Sequence, residues 1–424
     1  MKDQPVKRRK FIKTTGSAIS GLAMVPGIMP LLSHQKTADM VSETKQLEKS
    51  IIGGYGSWAT SLLVDPPKLS YRIDQGNDIN AWREKALNLT RECIAVPDIG
   101  RSPKVTVKKK YVYDGLDIEE LEWQLPYGRP TQAILLKPEG SKGSLPAVLG
   151  LHDHGGNKYF GRRKITKTSD TMHPLMVEHQ QNYYEGFAWA NEIAKRGYVV
   201  LVNDAFTFAS RRVMYEDLLD SMNPEHRSDE DSENTDNIKA YNSWAGAHEH
   251  VMSKSLFCAG TTWPGVFLAE DQRALDILIN RDDVDGDRVG CCGLSGGGLR
   301  TCYLGGIDPR IKCAVSVGFM TTWADLIMSK SYTHTWMTYA PRLPQFLDFP
   351  EILGLRVPLP TLVLNNNEDQ LFTLPEMKRS DKMLRQVFDK ADAGDRYKAN
   401  FYPGPHKFDG KMQVDAFEWF DRWL

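Results

Sequence analysis

Three residues of this 424-residue chain stand in an order that suits nucleophilic catalysis: Ser295, Asp369 and His406. A serine hydroxyl is a weak nucleophile at neutral pH. It needs an imidazole to take its proton, and the imidazole needs a carboxylate to orient it. Ser295 lies in Gly293-Leu-Ser-Gly-Gly297, which fits G-x-S-x-G. The apolar run Val289 to Cys292 precedes it, and a helix-compatible segment follows from Gly296. Strand, tight turn and helix are the context in which a serine is held exposed on a strained bend. Glycines two residues to either side leave room where side chains would collide with the neighbouring strand and helix. A Gly-Ser-Gly cluster is also ordinary loop material, so the rest of the chain decides.

The acid should follow a later strand. Leu362 to Asn365 is such a strand, and Asp369 comes just after it, with Glu368 as its rival. His406 is the only histidine beyond Asp369, in Gly404-Pro-His406 between the last strand and the last helix. The negative oxygen of a tetrahedral intermediate also needs preorganised N–H donors. Gly296, at a helix N-terminus, is the expected first donor. The loop Leu151-His-Asp-His-Gly-Gly156 is placed to give the second, from the N–H of His154 or of Asp153. The His152, Asp153, His154 group and the His248, Glu249, His250 group are rival metal ligands. No H-E-x-x-H motif accompanies them, so neither a metal nor a cofactor is expected.

The elements that must position these residues alternate. Val105 to Tyr113 and Ile118 to Leu125 are predicted strands joined by the turn signal Asp114-Gly115, and Thr131 to Leu136 follows. Ala147 to Leu151, Tyr198 to Val202, Val289 to Cys292, Ile311 to Val317, Leu362 to Asn365 and Lys398 to Tyr402 read as strands. Ile79 to Cys93, Glu185 to Lys195, Thr262 to Asn280, Gly296 to Gly305, Glu376 to Asp389 and Lys411 to Leu424 read as helices. Such alternation implies a mostly parallel central sheet with helices on both faces. Two long insertions, 205–260 and 319–357, follow strand C-terminal ends, where ligands bind in open sheets of this kind. Both are expected on the cleft side.

With 41% hydrophobic and 25% charged residues the chain can bury a large core. A net charge of −1 leaves no footprint for nucleic acid. The first 33 residues are the exception, with six basic side chains and one acidic. Lys7-Arg-Arg-Lys-Phe-Ile-Lys13 before a mildly apolar stretch looks like a twin-arginine export signal, which implies a periplasmic protein. No clean cleavage motif follows. Pro26 and Pro30 and the low apolarity exclude a good membrane span. The expected organisation is a signal and linker start over 1–36, a helical preamble over 37–103, and one domain over 104–424. Six cysteines lack metal-type spacing. They read as buried free thiols, with Cys302–Cys313 or Cys93–Cys258 bridges left open. The oligomeric state is not legible.

From Lys104 to Leu424 the chain resembles the α/β-hydrolase superfamily, and within it bacterial acetyl xylan esterase-like and dienelactone hydrolase-like proteins. The resemblance is carried by Leu151 to Gly156, Gly197 to Phe206, Asp271 to Asp276, Asp283 to Gly290 leading into Ser295, and Gly404-Pro-His406. It implies an α/β-hydrolase fold and an exported serine esterase that deacetylates a small-molecule or saccharide ester. There are departures. Dienelactone hydrolases use a cysteine where Ser295 stands. Glucuronoyl esterase-like relatives carry an arginine after the serine, where this chain has Gly296. A serine peptidase-like hydrolase and a non-catalytic carbohydrate-binding protein of the same fold remain the alternatives.

Overall fold

A computed structural model describes residues 49–76, 78–230 and 232–424. The basic segment with the expected export signal lies outside the described residues. Among them, nine strands form one sheet. They are β1 (Val105–Tyr113), β2 (Leu116–Trp123), β3 (Thr131–Pro138), β4 (Leu145–Gly150), β5 (Val199–Asn203), β6 (Val284–Leu294), β7 (Cys313–Val317), β8 (Thr361–Asn366) and β9 (Tyr397–Tyr402). The order is β1-β2-β3-β5-β4-β6-β7-β8-β9. Neighbours from β1 to β5 pair antiparallel, and every later pair is parallel.

The helices in chain order are α1 (Gly56–Ser61), α2 (Ile79–Ile94), α3 (Pro174–Tyr184), α4 (Trp189–Lys195), α5 (Thr235–Cys258), α6 (Trp263–Ile279), α7 (Gly296–Ile307), the single turn α8 (Trp323–Asp325), α9 (Phe349–Gly354), α10 (Leu374–Lys390) and α11 (Gly410–Trp423). The inner strands are apolar on both sides, so each feeds two cores in alternation. Leu149, Leu201, Cys291, Ala314 and Val363 point into a core with α2, α6, α7, α9 and α10. Val148, Val200, Cys292, Val315 and Leu362 point into a second core with α4 and α11. The sheet is therefore covered on both faces, as the alternating pattern requires.

The described part of the preamble packs on this body through α2. Trp82, Ala86, Cys93 and Ile94 of α2 belong to the first core. Thr262 donates its hydroxyl to the Ile94 carbonyl, and a Cβ at Gly265 would meet that oxygen at 2.2 Å. Only glycine lets α6 start this close to the end of α2.

The helix expected over Glu185 to Lys195 is shorter in the structure and covers only Trp189–Lys195, after a separate helix α3 that the sequence reading did not mark. Glu185 (φ 58) and Gly186 (φ 83) take left-handed conformations that end α3, and α4 starts at Trp189. The first insertion holds the 24-residue helix α5, with Asn234 capping its N-terminus. Its buried positions are Ile238, Tyr241, Ala245, Glu249 and Ser253, one narrow stripe. All six cysteines are free, and Cys291, Cys292, Cys302 and Cys313 are fully buried. Burial pushes the Cys291 thiol up to about 12, which suits a packing role.

Candidate active site

Ser295 is the one residue between β6 and α7. Its φ of 59° and ψ of −115° lie outside the ordinary regions for an L-residue. The turn holds because its surroundings leave no alternative. The Ser295 N–H donates to the Val317 carbonyl at 2.8 Å, and its own carbonyl accepts from Leu299 at 2.9 Å. A Cβ at Gly293 would lie 2.3 Å from the Leu151 oxygen, and one at Gly297 only 2.0 Å from it. The two outer glycines of G-x-S-x-G are thus fixed by the closeness of the β4 exit loop.

Asp369 and His406 follow β8 and β9, whose C-terminal ends adjoin that of β6 across β7. Asp369 is buried and Glu368 is exposed. Asp369 accepts the Leu371 N–H on Oδ1 at 2.9 Å and faces His406 Nδ1 through Oδ2 at 2.6 Å. Glu368 instead accepts the Gly404 N–H at 3.3 Å. A carboxylate on Nδ1 places the ring proton there and leaves Nε2 as the basic nitrogen. That Nε2 is buried and has no hydrogen-bond partner. Ser295 and His406 line the same cavity of about 360 Å³. Gly318, just after β7 with φ +57°, makes room for the imidazole: a Cβ there would lie 2.9 Å from His406 Cε1.

The loop 151–156 runs along the other side of Ser295. A Cβ at Gly296 would stand 3.1 Å from the His154 nitrogen. Neither the Gly296 N–H nor the His154 N–H donates to a protein acceptor among the described residues. The carbonyls of Asp153 and His154 both accept from the buried Lys164 ammonium, at 2.7 and 2.8 Å. Burial pulls that ammonium down to about 8 against the charge of Asp153. The Asp153 carboxylate is buried and held by Tyr184 and His179. Of the two expected second donors, the His154 nitrogen is the one that lies close to Gly296.

The histidines near this loop are committed elsewhere. His152 bonds the Asp153 carbonyl through Nδ1 at 3.0 Å and accepts the Ala205 N–H on Nε2 at 3.1 Å. His154 accepts the Gly156 N–H on Nδ1 at 3.0 Å, so its Nε2 carries the proton and meets Glu249 at 2.7 Å. Burial drives both histidines toward the neutral form. No group that could hold a metal occurs among the described residues.

Glu249, a rival metal ligand by sequence, sits in α5 with different partners. Beyond His154 it meets the buried Lys158 ammonium at 2.9 Å. Its other oxygen accepts the Thr335 hydroxyl at 2.6 Å and the Trp336 N–H at 3.1 Å. One carboxylate from the first insertion thus ties the loop at His154 to the second insertion. Burial alone would raise its pKa, but the His154 bond and the Lys158 charge outweigh it and hold the carboxyl well below the usual range. Lys158 and Thr335 carry no sequence signal for this role, because 91 residues separate Lys158 from Glu249 and 86 separate Thr335. Glu249→Ala would strand the Lys158 charge. It is expected to cost about 3–5 kcal/mol of stability, measured by urea unfolding.

No family model matches the chain. The Bacillus subtilis protein YtaP, a hydrolase by name, is 25% identical over 308 residues, covering 72% of this chain and 88% of its own length. A Bacteroides fragilis structure named as an acetyl xylan esterase superposes with a TM-score of 0.62 at 18% identity, over 83% of this chain and 82% of that one. A glucuronoyl esterase from Solibacter usitatus gives 0.56 at 14% identity, over 84% of this chain and 97% of that one. At such identities the likeness is one of architecture. With the sheet order, the strained serine turn and these neighbours in agreement, the chain has the α/β-hydrolase fold.

Proposed function

We propose that the chain is an exported serine esterase, and that Ser295, Asp369 and His406 are its catalytic residues. The observation that carries this reading is the unpartnered, buried Nε2 of His406, in the cavity it shares with Ser295, while its Nδ1 is held by Asp369. Ser295 Oγ attacks the ester carbonyl as Nε2 takes its proton. Asp369 stabilises the imidazolium without itself being protonated. The N–H groups of Gly296 and His154 receive the negative oxygen. His406 then returns the proton to the leaving alkoxide. Water, deprotonated by His406, attacks the acyl-enzyme and frees the acid and Ser295.

The substrate we propose is an acylated saccharide, most simply an acetyl ester, with no cofactor involved. The names of the structural neighbours and the paired arginines at Arg8 and Arg9 support this assignment. So does a cavity with a largely apolar floor of Leu294, Leu299, Phe319 and Phe372. The test is acetate release from p-nitrophenyl acetate and acetylated xylan, with labelling of Ser295 by a fluorophosphonate. Release together with label on Ser295 is expected. Neither release nor label would leave a hydrolase-fold binding protein instead.

A further inference from the structure

The second insertion passes the cavity as a short wall, Ser331 to Thr338. Thr333, His334, Thr335 and Thr338 line the cavity. Tyr332 and Trp336, interleaved with them, turn outward and are 74% and 40% exposed. The same stretch therefore offers polar groups inward and exposed aromatic ring surface outward.

The wall is held rigidly. Glu249 grips it at Thr335 and at the Trp336 N–H. Tyr339 donates its hydroxyl to the Ser331 carbonyl at 2.9 Å, and Lys330 donates to the Gln370 carbonyl at 2.6 Å. Inside, His334 Nδ1 is spent on the Lys330 carbonyl at 3.0 Å. Burial keeps this imidazole neutral, so its Nε2 bears a lone pair. That nitrogen is buried and has no partner. A buried acceptor without a donor is costly, and a ligand hydroxyl would relieve it. Exposed tyrosine and tryptophan rings offer flat apolar faces with little conformational freedom to lose.

An apolar ring face beside hydroxyl donors is the chemistry of a pyranose. We propose that the wall from Ser331 to Thr338 binds the alcohol side of the ester as a saccharide chain. The acetylated sugar lies against His334 and Thr338, and the next sugar units stack on Trp336 and Tyr332. This rests on the esterase reading of Ser295 and extends it from a single ester to an oligosaccharide. Tyr332 and Trp336 alternate in sequence with residues that line the cavity, which favours a chain leaving the site over a partner protein.

The experiment compares kcat/KM for acetylated xylo-oligosaccharides with kcat/KM for p-nitrophenyl acetate, in the wild type, Trp336→Ala and Tyr332→Ala, with melting temperature and solution mass recorded for each. In Trp336→Ala the ratio of the two should fall on the order of ten-fold, through KM. Tyr332→Ala should shift it in the same direction. An unchanged ratio in both folded variants would overturn the saccharide wall, and a dimer that dissociates in either variant with the ratio unchanged would reassign the rim to self-association. Wild-type turnover of p-nitrophenyl acetate without any turnover of the saccharide ester would also overturn the wall while leaving the serine mechanism standing. No turnover of either would remove the esterase reading, and the wall with it.

Discussion

Ser295→Ala is expected to lower kcat for p-nitrophenyl acetate by roughly four to six orders of magnitude, with the fold intact. On the proposed mechanism the Ser295 hydroxyl oxygen forms the bond to the acyl carbon. Cys292 lies three residues earlier in β6 with its thiol buried, and burial raises that thiol well above its ordinary range. Alanine keeps the Cβ that the turn already tolerates at φ 59°. The Ser295 backbone bonds to Val317 and Leu299 do not involve the hydroxyl. Melting temperature should therefore stay within a few degrees of wild type. Rates within ten-fold of wild type in the pure variant would sink the mechanism.

Asp369→Asn should cost roughly 10⁴ in kcat. The amide can donate to Nδ1, which would move the ring proton to Nε2 and leave the imidazole unable to accept from Ser295. The size of this effect separates the two neighbouring acids. Glu368→Gln touches only the exposed contact to the Gly404 N–H and should change kcat less than three-fold or so. If Glu368→Gln were the more damaging of the pair, the acid would have been assigned to the wrong residue. Both variants can be read from steady-state kinetics on one small ester, without knowing the natural substrate.

The order of serine, acid and histidine was legible because each follows a strand, and strands buried on both faces announce themselves as apolar runs. Val199–Asn203 and Thr361–Asn366 are buried throughout, and the sequence marks both. The choice of Asp369 over Glu368 rested on position alone, and the structure adds the reason for weighing it: one carboxylate faces His406 and the other faces solvent. Helix α5 was not legible. Its inward stripe contains Glu249 and Ser253 beside small or polar neighbours, so the apolar period that marks an ordinary amphipathic helix is interrupted. The start of α4 is Trp189 and not Glu185 for a different reason. Glu185 takes a left-handed conformation that its residue type does not advertise, and only Gly186 beside it hints at the break. The clamp at Glu249 could not be inferred, since its partners come from two distant segments and meet only in the folded chain.

The ammonium of Lys164 has a consequence beyond holding a loop. It bonds the carbonyl of Asp153, and that carbonyl shares its amide plane with the N–H of His154. A cation on the oxygen of an amide draws electrons through the conjugated O–C–N unit and makes the hydrogen at the far end more acidic. On the proposed mechanism, the donor offered to a developing oxyanion is thereby sharpened by a charge outside the cavity lining. The lysine works as an inductive lead, wired through one peptide bond, and the reaction site gains part of a positive charge without the water that would otherwise accompany it.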